Sequence, residues 1–343
     1  MNVTSSEISL LNIVIGFVYF IGISSSGNVR NQSVRQRSNI RQLISLHQPL
    51  CPVEVNNHTD DVECTKCNLL QLSKPRPKYP LTFIKPNKIG HVEEIQLVEG
   101  KTHRRKTLAL DPPVYEIPNF LTSEETDIIK GIAENKQLSQ STLFGDGQGT
   151  RKSESAWISI RKLNKSITRL SERYEKLTEQ SSWYINHAEK MQIVKYETGG
   201  YYYTHHDSGP YHLPVHNLPC CNQVKYCTTN LEQCCQLCRL MTVMVYLNDV
   251  EEGGETAFPI ADTNTETLHE YLSDVNNRNL TTNCYKSSLL VSPKTGTAVM
   301  WYNHEVDEMT GLMGNLILRS YHGGCNVLKG VKWIINLWIW FHA

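Results

Sequence analysis

The chain is short of net charge, of long apolar runs and of repeats, and each shortage narrows what it can be. Its 343 residues carry 34 Lys+Arg against 34 Asp+Glu. No basic excess exists to hold a polyanion, so composition offers no nucleic-acid partner. The apolar run Leu10–Ile23, "LLNIVIGFVYFIGI", spans about 14 residues, below the roughly 20 of a full helical span. No internal repeat and no sustained heptad pattern is found, which excludes solenoids and coiled coils. What remains is a chain long enough for one large domain or two ordinary ones, with ample material for a core.

The N-terminus admits more than one reading. After a tail over 1–8, residues 9–24 read as a signal-anchor or transmembrane segment, or, with Ser24–Ser26, as a cleaved signal peptide. No Lys or Arg precedes the run, whereas Arg30, Arg35, Arg37 and Arg41 follow it. By the positive-inside rule that flank faces the cytoplasm. On the C-terminal side of the run, four Asn-x-Ser/Thr triplets, at Asn31, Asn57, Asn164 and Asn279, argue instead for a lumenal body.

Cysteine bears on the same choice. There are 11, an odd number: Cys51, Cys64 and Cys67, then Cys220, Cys221, Cys227, Cys234, Cys235 and Cys238 crowded together, then Cys284 and Cys325. In a reducing compartment the cluster reads as a zinc site, with Cys235-x-x-Cys238 as its best half. In an oxidising one it reads as a disulfide patch. With the glycosylation triplets, the second reading is favoured. It places at least two disulfides among the six clustered cysteines and Cys284.

Residues 25–107 are assigned to a lumenal stalk and linker: polar at first, then "LSKPRPKYP" at 72–80. Denser apolar patterning starts near Leu108. A helix is expected over 119–134, where Thr122 and Glu125 form a capping-box pattern. A second is expected over 165–180, where Ile167, Leu170, Tyr174 and Leu177 recur at helical spacing. Beyond these, "MTVMVYLND", "SLLVSP", "GTAVMWYN" and "KWIINLWIW" are short, rich in β-branched and aromatic residues, and bounded by turn formers. They predict an antiparallel sandwich or barrel over about 190–343.

The stretch "YETGGYYYTHHDSGP" (196–210) carries the chemistry. On an extended chain residues i and i+2 share a face. His205 and Asp207 therefore point together, and His206 points away as a packing or surface residue. One imidazole and one carboxylate so placed are half of a facial triad, a geometry suited to non-haem Fe(II). His91-x-Glu93 has the same form but no supporting context. The missing histidine is sought in "SYHGGCNVLKGVKWIINLW" (320–338), as His322. A strand ending at His322, a turn, and a return strand opening at Lys332 would set an ammonium beside the metal, where it needs an anion. His304 and His342 lack this setting.

These stretches resemble the 2-oxoglutarate, Fe(II)-dependent prolyl 4-hydroxylases. "YETGGYYYTHHD" is similar to their Tyr-x-x-Gly-Gly-x-Tyr-x-x-His-x-Asp segment, and "HGGCNVLKGVKW" to their distal His, cosubstrate Lys and Trp. "RLMTVMVYLNDVEEGGETAFP" (239–259) resembles their Gly-Gly-Glu-Thr region, and "RKSESAW" (151–157) their Arg-Thr-Ser segment. The match runs in order over about 110–343. The apolar N-terminus and the cysteine-bearing insert before Arg239 look most like the membrane-anchored members of the endoplasmic reticulum. The EF-hand-like insertion of that branch has no counterpart, since no calcium-loop pattern is present.

The resemblance implies an α+β fold: a double-stranded β-helix, or jelly roll, with supporting N-terminal helices, over 108–343. It implies Fe(II) on His205, Asp207 and His322, and 2-oxoglutarate on Lys332 and Tyr196. It further implies ascorbate as a protective reductant and a peptide groove lined by Tyr202, Arg239 and Trp338. The reaction implied is 4-hydroxylation of proline in a polypeptide, using O2 and releasing succinate and CO2. The location implied is the endoplasmic reticulum membrane with a lumenal catalytic domain, or the lumen or exterior after signal cleavage. Alternatives on the same fold are hydroxylation of another residue such as lysine, or a non-catalytic lumenal binding module. A groove role for Trp338 competes with a place in the core, and one for Arg239 with a structural ion pair.

Overall fold

A computed structural model describes residues 78–141, 149–208, 220–221 and 236–340. Residues 9–24, the first three cysteines and most of the cysteine cluster lie outside it. Fourteen strands build two antiparallel sheets. In chain order they are β1 (Val92–Val98), β2 (Lys101–Leu110), β3 (Pro113–Ile117), β4 (Ser139–Gln140), β5 (Arg151–Lys152), β6 (Glu154–Ile158) and β7 (Met191–Tyr196). Then come β8 (Tyr201–His205), β9 (Arg239–Tyr246), β10 (Thr256–Phe258), β11 (Leu289–Val291), β12 (Ala298–Tyr302), β13 (His322–Gly324) and β14 (Lys332–Trp340). The major sheet runs β1-β2-β3-β12-β9-β14-β7-β6-β4, and the minor sheet β11-β10-β13-β8-β5. This is the double-stranded β-helix, with helices covering the outer face of the major sheet.

Alternation along the strands sorts the two faces. Trp333, Ile335, Leu337 and Ile339 of β14 join the large core under the helices, as do Met241, Val243 and Val245 of β9 and Met300 and Tyr302 of β12. The intervening Ile334, Met244, Tyr246, Val299 and Trp301 form a second cluster with Phe258 and Val291 of the minor sheet. The space between the sheets is therefore lined by the opposite parity. Lys332 and Thr242 belong to it, and so does Asn303 just past β12.

The first helix, α1 (Ser123–Asn135), has the expected cap. Thr122 Oγ1 accepts from Glu125 N at 3.3 Å, and Glu125 Oε2 accepts from Thr122 N at 3.0 Å. The second, α2 (Leu170–Thr178), starts five residues later than its periodicity predicts. Ile160–Leu163 forms a separate short helix, and Arg169 adopts φ 57° immediately before α2. Ile167, Leu170, Tyr174 and Leu177 are all buried nonetheless.

Two expectations are corrected here. Residues 78–107 are not linker: β1 and β2 extend the major sheet, and Leu81, Ile84 and Leu97 sit in the core. Polar composition hid this, because the alternate residues His103, Arg105 and Thr107 of β2 are buried although hydrophilic. Arg105 manages it by bonding Glu93 and Glu179. Cysteine pairing also differs, since Cys284 is bonded to Cys325 rather than to the cluster. Cys238 is disulfide-bonded too, so it is no thiolate for zinc.

Candidate active site

Two cross-strand pairs, one in each sheet, assemble the site. In the minor sheet β8 and β13 run antiparallel with His205 opposite His322. In the major sheet β7 and β14 run antiparallel with Tyr196 opposite Lys332. Side chains directly opposite on one face are near neighbours, so register alone brings each pair together.

Asp207 lies two residues past the last histidine of β8 and turns to the same side. Its Oδ1 is 3.6 Å from His205 Nε2 and its Oδ2 3.5 Å from His322 Nε2. One ligand atom from each of the three lies within 4.8 Å of the others. Each imidazole is oriented through Nδ1: His205 against Tyr203 O at 3.0 Å, and His322 against Ser320 O at 2.9 Å. That leaves both Nε2 atoms directed at one point, as metal-binding histidines are held. Burial pushes His322 down to about 4, so it is neutral and its lone pair is free. Burial alone would raise the Asp207 carboxyl, but His322, His205 and Arg239 together hold it well below the usual range. Two imidazoles and one carboxylate in this arrangement fit a divalent iron.

The predicted return strand differs in detail. His322 opens β13 instead of ending a strand, and β13 and β14 belong to different sheets. The tight passage after the ligand needs glycine. A Cβ at Gly323 would stand 2.6 Å from Tyr202 O and 2.7 Å from Leu280 Cδ1.

Lys332 is 2% exposed, with its ammonium 5.5 Å from the Tyr196 ring centroid and 5.6 Å from that of Tyr246. Among the described residues it has no hydrogen bond or ion pair. Burial lowers it to about 7, opposed by the charge of Glu255. A buried cation held between two ring faces is completed by an anion. A carboxylate ligand supplies one, so the pocket fits 2-oxoglutarate. Burial also raises the Tyr196 hydroxyl, keeping it a neutral donor. The buried Trp301 indole, its ring 4.5 Å from His322, has an N–H with no partner among the described residues.

The three residues expected at a groove lie around this centre. The Tyr202 ring stacks on His205 at 3.7 Å, with the Arg151 guanidinium 4.5 Å from its centroid. Arg239 stacks over Trp338 at 3.8 Å and donates twice to Glu189, both at 2.7 Å. It also reaches Asp207 O at 3.3 Å. Its fork is therefore largely occupied by an ion pair. His206 is buried: Ser208 N donates to its Nδ1 at 3.1 Å, and its Nε2 lies 2.7 Å from Ser320 Oγ. Of the expected alternatives, it packs. His91 and Glu93 do not join a site, since Glu93 bonds Arg105. Glu255 approaches Cys284 and Cys325, but those sulfurs are joined to each other and offer no thiolate.

Sequence reasoning missed Glu189, Thr242 and Asn303. Thr242 left a signal, the one aliphatic hydroxyl in the run "LMTVMVYL", because a polar side chain inside a central strand requires a partner. Glu189 left none, being a surface-type residue in a loop.

Residues 191–340 match the family model of the 2OG-Fe(II) oxygenase superfamily. The human transmembrane prolyl 4-hydroxylase is 30% identical over 354 residues, covering 76% of this chain and 70% of the human one. Probable prolyl 4-hydroxylase 10 of Arabidopsis thaliana is 30% identical over 240 residues, covering 68% and 71%. The crystal structure of a viral collagen prolyl hydroxylase from Paramecium Bursaria Chlorella virus-1, as its 2OG complex, is 24% identical, covering 66% of this chain and 94% of that one with a TM-score of 0.39. The chain belongs to the prolyl 4-hydroxylase family of 2-oxoglutarate- and Fe(II)-dependent oxygenases.

Proposed function

We propose that the chain 4-hydroxylates proline in a polypeptide, with His205, Asp207 and His322 holding Fe(II) and Lys332 and Tyr196 holding the distal carboxylate of 2-oxoglutarate. The single observation that carries this reading is the buried Lys332 ammonium, which makes no ion pair among the described residues and lies, opposite Tyr196, on the face of the major sheet turned toward the minor sheet that carries His205 and His322. Bound iron supplies the O2 chemistry that couples decarboxylation of the cosubstrate to oxidation of a C–H bond, with succinate and CO2 released. The protein binds and orients. Lys332 neutralises the carboxylate in a water-poor pocket, where the attraction is strongest. The neutral His322 and the ionised Asp207 remain in their ligand forms at physiological pH.

Tyr202, Arg239 and Trp338 line the peptide groove in this reading. A ring face suits a proline ring, and the Arg239 fork, anchored by Glu189, presents its remaining N–H toward chain carbonyls. Ascorbate serves as the protective reductant. Residues 9–24 anchor the chain in the endoplasmic reticulum membrane, with residues 25–77 as a lumenal stalk. Supporting that location are the disulfide at Cys284–Cys325 and the glycosylation triplets, together with the name of the human relative, a transmembrane prolyl 4-hydroxylase. No helix among the described residues is long and apolar enough to cross a membrane.

The test is mass spectrometry of proline-containing peptides after incubation with chain, Fe(II), 2-oxoglutarate and ascorbate, with succinate measured in parallel. A gain of one oxygen on proline, with matching succinate, is expected. Oxygen on lysine would replace the substrate assignment. No succinate with any peptide would leave a binding module.

A further inference from the structure

The carboxylate ligand is steadied from the major sheet by residues that do not reach the metal position. Asp207 lies beyond the last residue of β8, so the ladder bonds of that strand do not fix its side chain. Thr242, in the interior of β9 and 1% exposed, donates its Oγ1 proton to Asp207 Oδ2 at 2.7 Å. Asn303, fully buried just past β12, donates Nδ2 to Thr242 Oγ1 at 3.1 Å. Asn303 is itself pinned by its backbone. Its N donates to Leu240 O at 2.8 Å and its O accepts from Ile317 N at 2.9 Å.

The order of donors matters. A hydroxyl has one proton and two lone pairs. The amide N–H fills a lone pair of Thr242 Oγ1, which leaves the hydroxyl proton for a carboxylate that can only accept. With the amide reversed, its oxygen would compete for that proton. The Asp207 oxygens are spaced 3.6 Å and 3.5 Å from the two Nε2 atoms, and rotation of the carboxylate would spoil both spacings.

We propose that Asn303 and Thr242 form a positioning relay that locks the Asp207 carboxylate, and so set metal affinity without touching the metal. The inference rests on the reading of His205, Asp207 and His322 as ligands. Partners of this kind, one bond removed from a metal ligand, change affinity by about ten- to a hundredfold.

The test is titration of the full chain with Co(II), a redox-stable probe, without 2-oxoglutarate and followed by its visible absorption. Thr242→Val, nearly isosteric, is expected to bind Co(II) roughly ten- to a hundredfold more weakly. Thr242→Ser restores the hydroxyl and is expected to stay close to the parent chain. Asn303→Asp, which replaces a donor by an acceptor, is expected to bind more weakly than Asn303→Leu. Native affinity in Thr242→Val, or a Thr242→Ser variant as weak as Thr242→Val, overturns the relay. If Thr242→Val fails to fold, the Asn303 pair decides: Asn303→Asp binding as tightly as Asn303→Leu overturns it. A parent chain that binds no Co(II), or one unaffected by His322→Ala, defeats the ligand assignment itself. Normal binding with an indifferent Thr242 defeats the relay alone.

Discussion

At Lys332 the fold encloses a positive charge and leaves its counter-charge to a ligand. Lys332→Ala is expected to weaken 2-oxoglutarate binding by roughly ten- to a hundredfold, since a charge-assisted hydrogen bond contributes about 1.5–3 kcal/mol. Calorimetric titration checks this. Lys329→Ala, removing an exposed lysine paired with Glu251 at 2.7 Å, should titrate normally; an equal loss there would show that the pocket is misassigned. The pH dependence has a definite sign. Before ligand binds, Lys332 loses its proton near about 7 because of burial. The groups facing it are the rings of Tyr196 and Tyr246 and the Glu255 carboxylate; all three favour the charge, and burial outweighs them. Below that pH the ammonium is already present and affinity is flat. Above it a proton must be taken up on binding, so affinity falls as pH rises. Stability of the ligand-free fold moves the other way, because between about 7 and the ordinary lysine value the unfolded chain binds more protons. Lys332→Arg stays charged and should remove both slopes; slopes that persist in it assign the titration elsewhere. His206 gives a second contrast. His205→Ala should abolish Co(II) binding, whereas His206→Ala should keep it and lower the thermal midpoint, because the buried hydrogen bonds of its ring to Ser208 N and Ser320 Oγ are lost at about 1–3 kcal/mol. Loss of Co(II) binding in both variants would sink the register. These side chains were legible because strand parity is a strict two-residue rule. Thr242 and Asn303 were not, because their meeting depends on β9 and β12 being neighbours, which no local pattern states.

Among the elements, the ends of a short helix, α3 (Leu280–Asn283), and of β13 are joined by Cys284–Cys325, 41 residues apart in sequence. Closing a loop of that length stabilises a fold by up to about 4 kcal/mol. The bond attaches to the chain three residues after His322, so it also steadies the strand that carries that histidine. Cys325→Ser should lower the thermal midpoint, and non-reducing peptide mapping should recover Cys284 with Cys325. Recovery of Cys284 bonded to the 220–238 cluster would refute the pairing. The sequence reading grouped Cys284 with that cluster because crowding was its only guide; distance in space is invisible to spacing along the chain. The same limitation explains β1 and β2. Their residues looked like linker because half of them are charged, and a strand that buries His103 and Arg105 on one face carries no apolar alternation to read. The strands β9, β12 and β14 were legible since both of their faces are covered and their sequences are continuously apolar.

For the whole molecule, glycosylation reports the compartment. Two glycosylation triplets fall on described residues, and their asparagines differ. Asn164 is engaged at both ends, donating to Ser171 Oγ and accepting from Ser171 N at 2.9 Å. Asn279 accepts from Thr281 N and Oγ1 at 3.0 and 2.7 Å through Oδ1, and among the described residues its Nδ2 has no partner. A lumenal chain should therefore carry a glycan at Asn279. Material from secretory-pathway expression should shift on endoglycosidase treatment, and Asn279→Gln should remove that part of the shift. An endoglycosidase-insensitive chain would refute the lumenal placement. The order of the major sheet sets when it can close. Of its nine strands, the latest in the chain, β14, lies between β9 and β7 and touches both. A ribosome delivers β14 only after both of its neighbours. Until Lys332–Trp340 has been translated, β9 and β7 each present an unpaired apolar edge, the kind of surface that invites aggregation. Completion of the sheet and arrival of Lys332 are thus one event. A ribosome stalled before residue 332 would display those edges to chaperones without a functioning pocket.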